Sequence, residues 1–495
     1  MLSKLKHIMF FACILVGFQT LSQPYFNRFQ KEATTFSTIS VSDTGFIAVG
    51  RGFNNQFKTS CIYACNLKGD SLWFKYFGAS STASVAQKIM KTNSGFYIAG
   101  ANRDTTKGAF WDFYLAYFTP QGDSIWMKSY GDNARVEYLE DAIVTADGDV
   151  VMVGVNRTES GDRDAWYVIK TDAQGKLIWE KTIDGIENEN GCRSIIETPE
   201  GDYVLVGEQE VAEKQYDIWV VKLNSDGDRV WDTTYGGEFT DFSPEINLAP
   251  DGQLGIAFNF LQSEKSDSRA IRYIKLNRFT AEVMADVAIL DFNEGSVLTK
   301  PLFDEYGNVI MAGRHKPVFD LIGLVIKFNP ATGDIIWSRE YTRNSNLQHY
   351  IYDIQPASND GFVFCGTGYP EDHMGGFNQG WITTIDCKGA DSLTHYFPEQ
   401  RCEDYTSISE SSKVIMDVVN LYPNPTNGYV SLRSTGLMKE VVVHNATGTL
   451  VHQQTISASS TAEIHLGKTL PNGIYMVEVE LINGEKKRKK LSLMR

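Results

Sequence analysis

Four side chains able to do chemistry sit in two pairs, Arg314 with His315 and Asp372 with His373. A histidine beside a carboxylate can bind a metal ion or shuttle a proton near neutral pH. The same four residues also suit a solvated polar rim, so they stand as possible ligand-binding residues only. The chain has 8 His without His-x-x-x-His spacing. It has no Gly-x-Ser-x-Gly elbow, phosphate loop or zinc-type cysteine cluster. The acidic run Ser160 to Asp164 lacks the ligand spacing of a calcium loop. No catalytic residue, metal ligand or cofactor is assigned. Asp112, Asp164 and Asp217 recur at a fixed interval, as do Lys170, Lys222, Lys275 and Lys327. What recurs in a repeat protein is scaffold, so these read as turn caps and sheet-edge residues.

The elements that must position these residues emerge from self-comparison. A glycine ending an apolar run appears at Gly50, Gly100, Gly154, Gly207, Gly313 and Gly366, at intervals of 50, 54, 53, 106 and 53. A tryptophan appears at Trp73, Trp126, Trp179, Trp231 and Trp337, at intervals of 53, 53, 52 and 106. Both markers give one period. The double interval of the glycine series hides a copy near Ala257 and Phe258, so there are seven copies. Within each, Gly-containing turns such as Asp147-Gly148 and Gly175-Lys176 separate alternating apolar and β-branched runs. That is the text of a four-stranded antiparallel meander. A lone meander leaves both faces uncovered, and radial stacking covers them. The expectation is an all-β chain with a seven-bladed β-propeller at 24–400; an open β-solenoid fits a period near 53 less well. The recurring Trp is expected between adjacent blades. Tyr25 to Phe29 resembles the strand-four text Trp73 to Phe77 and is a candidate to close the ring, with Ser392 to Phe397 as a rival outer strand. The longer loops, after strands two and four, gather at one end, where a binding surface is expected.

Composition sets the outer bounds. The chain has 46 Lys+Arg against 61 Asp+Glu, a net charge of -15, which argues against nucleic acid as a partner. Lys4, Lys6 and His7 precede the apolar run Ile8 to Phe18, and small residues Thr20 and Ser22 precede Gln23. This is a signal peptide over 1–22, with no transmembrane segment expected after its removal. Six of the 7 Cys follow it, and an exported protein can oxidise them. Cys365 with Cys387 is the preferred pair, with buried thiols as the alternative.

The blade text resembles the tryptophan-docking propellers, including quinoprotein dehydrogenase-like and outer-membrane assembly propellers. Their Asp-x-x-x-Gly-x-x-x-Trp phrase is approached at Asn329 to Trp337, with Asn for Asp. That resemblance implies fold and not activity. After a linker at 401–417 the text changes. Tyr422-Pro423-Asn424-Pro425 opens it and Gly428 follows. A strand ends in Asn445-Ala446-Thr447-Gly448, Pro471-Asn472-Gly473-Ile474-Tyr475 comes next, and a basic final strand closes the chain. Residues 418–495 read as a small Ig-like β-sandwich. They are similar to the type A C-terminal sorting domain of the Bacteroidetes type IX secretion system. The resemblance implies export through the periplasm, recognition by the type IX machinery, and a secreted or outer cell-surface product. Two functions follow as expectations. One is a non-catalytic binding or adhesion module for an unknown extracellular glycan or protein ligand. The other is a secreted enzyme acting on glycans or resembling a quinone-dependent dehydrogenase. A subunit of the export or gliding machinery is a narrower third reading, against which the cargo signal argues.

Overall fold

A computed structural model of the chain describes residues 27–54, 57–78, 82–104, 110–131, 135–158, 164–185, 190–212, 215–262, 269–289, 296–297, 299–315, 321–341, 348–357, 361–368, 378–390, 419–422, 426, 428–445, 448–467, 469–482, 484 and 486–493. It divides into two compact units, Met1–Cys402 and Glu403–Arg495. The signal segment, the linker and Ser392 to Phe397 lie outside the described residues.

In the first unit the repeat text folds as antiparallel meanders. Copy two pairs Thr82–Lys91, Phe96–Asp104, Asp112–Phe118 and Ser124–Tyr130 in sequence order. Copies three, four and five follow the same order. In copy six the first strand is broken into Ser296–Val297 and Leu302–Phe303, both paired to Val309–His315. Copies one and seven share a seven-stranded sheet, because the long strand Asn27–Ser42 serves both. Its start pairs Asn27, Arg28 and Phe29 with Thr383, Ile382 and Trp381 of copy seven. Its end pairs Thr38 to Ser42 with Val49 to Gly45 of copy one. Pairing thus gathers the repeats into six sheets in an all-β unit of propeller type.

Local chemistry fixes each meander. An Asx residue opens the turn between strands three and four: Asp172 Oδ1 accepts from the amides of Gln174 (2.9 Å) and Lys176 (2.8 Å). Asn66, Asn224 and Asp386 do the same. This is the physical reason that Asp or Asn opens the Asp-x-x-x-Gly phrase. The recurring lysines hold the other tight turn. Lys170, Lys222, Lys275 and Lys327 reach Asp149, Asp202, Asp251 and Asp304 at 2.6–3.3 Å. In that turn Gly148 sits at φ 87, as the hairpin text predicts, whereas Gly95 has no positive φ. Gly95 is required by close approach instead, since a Cβ there would meet the Phe118 carbonyl oxygen at 2.1 Å.

Strand-four tryptophans pack against the turn glycine of the next copy, except in copy five, where Val287 faces Gly333 instead. A Cβ at Gly122 of copy two would meet the Trp73 ring of copy one at 2.5 Å, and Gly175 faces Trp126 in the same way at 2.8 Å. Tyr130 Oη donates to the Gly175 carbonyl (2.7 Å) and Tyr341 Oη to that of Gly389 (2.6 Å). Copy five lacks the glycine. Ala281 takes a left-handed φ of 60 there, and Tyr235 donates to its carbonyl. Cys61, Cys65, Cys192 and Cys365 are buried thiols, while Cys387 is in a disulfide. The expected Cys365–Cys387 bond therefore does not form, although the two residues lie on and just past neighbouring strands.

The second unit is a five-stranded sheet built on two long strands, Tyr429–Asn445 and Leu450–His465. Val419–Tyr422, Gly473–Leu481 and Lys486–Leu493 complete it. Alternation decides its core: Tyr475, Val477, Val479 and Leu481 are buried, and Ile474 and Met476 on either side of Tyr475 are exposed. The final strand places Lys486 and Arg488 opposite Glu480 and Glu478, with ion pairs of 3.0 and 2.6 Å to Glu478.

Candidate functional site

The first strands of neighbouring copies adjoin one another, so they face the axis of the unit. Outside copy six, whose first strand is broken, each has an irregularity of register opposite the middle of strand two, shown by Ala86/Lys88, Cys192/Ser194 and Ile351/Asp353. A bulge turns the following side chain away from the sheet faces. The residues after it, opposite Val49, Ala99, Val153, Val206, Ala257 and Cys365, are Thr38, Lys88, Asp141, Ser194, Glu245 and Asp353. Thr299 holds the same place in copy six and accepts from the Ala312 amide. Every copy thus supplies one polar residue to a common level.

Asp141 is the hub of that level. Lys88 Nζ approaches it at 2.9 Å and Lys300 Nζ at 2.6 Å. Ser194 Oγ (3.3 Å) and the Ile195 amide (3.1 Å) donate to it as well. Lys300 also donates to the Ile195 carbonyl at 2.8 Å. Lys300 belongs to copy six and Asp141 to copy three, so this pair joins two copies that are not neighbours in the repeat order. Burial opposes ionisation of Asp141, but Lys300 and Lys88 outweigh it and hold the carboxyl well below its ordinary range. Asp353 accepts from Thr38 Oγ1 (2.7 Å) and the Ile39 amide (2.9 Å), tying copy seven to copy one. Glu245 has the opposite character: burial, with Asp141 nearby, pushes its carboxyl up to about 8. A second chain of charges runs beside the first. Arg193 bridges Glu140 (3.1 Å) and Glu208 (2.9 Å). Glu208 also accepts from the amide of Ser243, which has a φ of 52.

Towards the loop-rich end lies an aromatic level. Tyr138, Phe242 and Tyr350 sit opposite Val155, Asn259 and Thr367, one register in copies three, five and seven. Trp111 lies 6.0 Å from Tyr138 between ring centroids. The Arg269 guanidinium lies 5.2 Å from Phe242, and that of Arg314 5.2 Å from Tyr350. Tyr352 stacks parallel to Tyr350 at 5.9 Å. Tyr138 is 39% exposed and Tyr352 36%. On the strand that carries Tyr138, Arg135 and Glu137 help line a cavity of about 370 Å³ with Asn156, Tyr167, Glu180 and Lys181.

Of the four residues singled out from sequence, Arg314 belongs to this aromatic level. His315 turns to Glu340 within its own sheet, Nδ1 to Oε1 2.9 Å. Asp372 and His373 lie outside the described residues. In the second unit, Tyr422 is placed in a strand, and Tyr475 is buried with its hydroxyl donating to the Pro471 carbonyl (2.7 Å). Gly428 and Gly448 take φ of 124 and 82, and Gly473 begins its strand. Pro423, Asn424 and Pro425 lie outside the described residues. Sequence reasoning missed the polar level, although its spacing follows the repeat. Among the described residues no group of three or more His, Cys, Asp or Glu is placed to hold a metal ion, and no helix is long and apolar enough to cross a membrane.

Three solved structures are similar in fold. A PL25 ulvan lyase, a polysaccharide lyase solved with -[GlcA(1-4)Rha3S]- bound, is 10% identical. It matches over 75% of this chain and 98% of its own, with a TM-score of 0.51. The polysaccharide lyase Uly1 is 12% identical over 71% and 90%, with a TM-score of 0.46. The β-propeller domain of the Trilobed protease from Pyrococcus furiosus is 12% identical over 74% and 99%, with a TM-score of 0.42. No curated protein matches the chain. Residues 420–493 match the model of the secretion system C-terminal sorting domain. The chain is therefore a propeller-type protein with a type IX sorting tail, exported to the cell surface or the extracellular space.

Proposed function

We propose that this exported protein is a non-catalytic binding module. In this reading the seven-stranded sheet counts as two blades, so residues 24–400 form a seven-bladed propeller of the tryptophan-docking kind. A signal peptide at 1–22 starts export. A linker at 401–417 leads to an Ig-like sorting domain at 418–495, recognised through Tyr422, Pro423, Asn424, Pro425, Gly428, Gly448, Gly473 and Tyr475. Arg314 serves ligand binding at the loop-rich end; His315, Asp372 and His373 are candidates beside it.

The observation that supports the reading is the state of the channel charges. Asp141 is held by two lysines, a hydroxyl and an amide, and Arg193 by two carboxylates. Groups engaged in this way join copies two, three, four and six and act as scaffold. Glu245 favours a second reading, an exported glycan-active enzyme. A protonated carboxyl near an ionised one is how environment divides an acid from a base. The likeness to the ulvan lyase adds fold alone.

The deciding experiment incubates the full chain with soluble polysaccharides and scores retention and new chain ends together. Retention without new ends supports the module. New ends that disappear in Glu245→Gln support the enzyme. Fractionating cells and medium tests the tail: deleting 420–495 is expected to hold the remaining chain in the periplasm.

A further inference from the structure

We infer that the aromatic level at the loop-rich end binds a neutral polysaccharide chain, an inference that rests on the binding-module reading and names its ligand class. Tyr138, Phe242 and Tyr350 occupy one register in three copies of a rigid repeat, so their rings are carried at fixed places around one opening. Each has a planar group nearby: Trp111 tilted by 34°, the Arg269 guanidinium or the Arg314 guanidinium. Tyr352 extends the Tyr350 stack at an interplanar angle of 1°. Tyr352 also occupies the bulge before Asp353, which carries the stack towards the polar level.

Tyr138 and Tyr352 are exposed and Phe242 and Tyr350 half-buried, and exposed aromatic rings cost solvation and persist where a partner covers them. The C–H face of a pyranose is such a partner, and the ring hydroxyls at its edge then need donors and acceptors. The Arg269 and Arg314 guanidiniums, each 5.2 Å from a ring centroid, bring N–H donors close to the rings. Among the described residues neither Arg269 nor Arg314 has a carboxylate partner, whereas Arg157, Arg193, Arg272 and Arg278 all do. Charge selects the neutral class. The chain is at -15, and a polyanion would meet that field throughout its approach.

The test is affinity electrophoresis of the full chain in gels containing a neutral β-glucan, a neutral mannan, a polyuronate or a sulfated galactan. At least one neutral polymer is expected to retard the protein. Tyr350→Ala with Tyr352→Ala, and separately Tyr138→Ala, should each weaken retardation about tenfold or more. Arg314→Ala should weaken it less. Tyr306→Ala, an exposed ring in a tight turn at the opposite end, should leave it unchanged, as should the melting temperature of the binding variants. Retardation by polyanions alone overturns the inference, as does equal retardation of wild type and tyrosine variants, or none in any gel. Release of new chain ends would instead overturn the non-catalytic reading while leaving the glycan site in place.

Discussion

Asp141 shows how one carboxylate holds several repeats together. It accepts from Lys88 of copy two, Ser194 and Ile195 of copy four and Lys300 of copy six. Asp141→Ala leaves two lysines facing one another across the channel, and breaking a buried pair costs about 3–5 kcal/mol. Denaturant unfolding followed by tryptophan fluorescence should show that loss, with Asp141→Asn intermediate. Glu245 gives a pH signature of opposite sign. Its carboxyl lies at about 8 in the fold against 4.5 ordinarily. Between those values the native chain keeps a proton that the unfolded chain has lost, so stability falls as pH rises through that window. Asp241, pushed up to about 7 chiefly by burial, acts in the same direction. Asp141 acts oppositely, and its contribution disappears as pH falls below its ordinary range. The thermal midpoint should therefore rise from about pH 8 to about pH 5 and fall at lower pH. Glu245→Gln should flatten the upper limb, and an unchanged slope would show that Glu245 is already ionised. This level escaped the sequence reading because Thr, Lys, Asp, Ser, Glu, Thr and Asp share a place but no residue type. A search for recurring letters discards such a position. A search for a polar residue at a fixed step after an apolar one would have kept it.

At the scale of the strand and turn, the sequence was far more legible. Period, strand text, turn positions and the inter-copy role of Trp all follow from letters that repeat, since each solves the same local problem in each copy. Two glycines separate conformation from packing. Gly148 has a φ of 87 and open space around a Cβ, whereas Gly175 has a φ of 70 and the Trp126 ring at 2.8 Å. Gly148→Ala should cost about 1–2 kcal/mol for a left-handed residue. Gly175→Ala should add about 1–3 kcal/mol, because the ring of the preceding copy must move. Equal losses in the two variants would mean that the Trp–Gly contact contributes no stability. What the turns hid was the glycine at Gly95, where the reason is a carbonyl at 2.1 Å and not φ. Propensity cannot reveal that, because the constraint comes from the neighbouring strand. The Cys365–Cys387 expectation failed similarly. Their strands are adjacent, but the register sets Cys365 opposite Ile382, five residues short of Cys387 and beyond disulfide reach.

For the molecule as a whole, the decisive element is the first described strand, Asn27–Ser42. Tyr25 to Phe29 resembles strand-four text, and the start of Asn27–Ser42 does take the place of a fourth strand beside Gln379–Ile385. The same strand pairs with copy one from Thr34 onward, through an irregularity between Phe36 and Thr38. Thr34 seals the junction: its amide donates to the Asn378 carbonyl (3.0 Å), and its hydroxyl accepts from the Gly380 amide (2.8 Å). Closing the unit therefore joins the beginning and end of a long chain. That loop-closure entropy is met once, by a handful of backbone hydrogen bonds and the Phe36 ring against Gly380. Deleting 24–32 keeps every copy of the repeat and the sorting tail, and removes only the closing strand. The deleted chain should still reach the cell surface or medium. It should melt at a lower temperature, and limited proteolysis should cut first in copy seven, whose outer edge is then an unpaired strand. If melting and the cleavage pattern match those of the intact chain, another segment holds the outer place of copy seven, and Ser392 to Phe397 is the one to delete next.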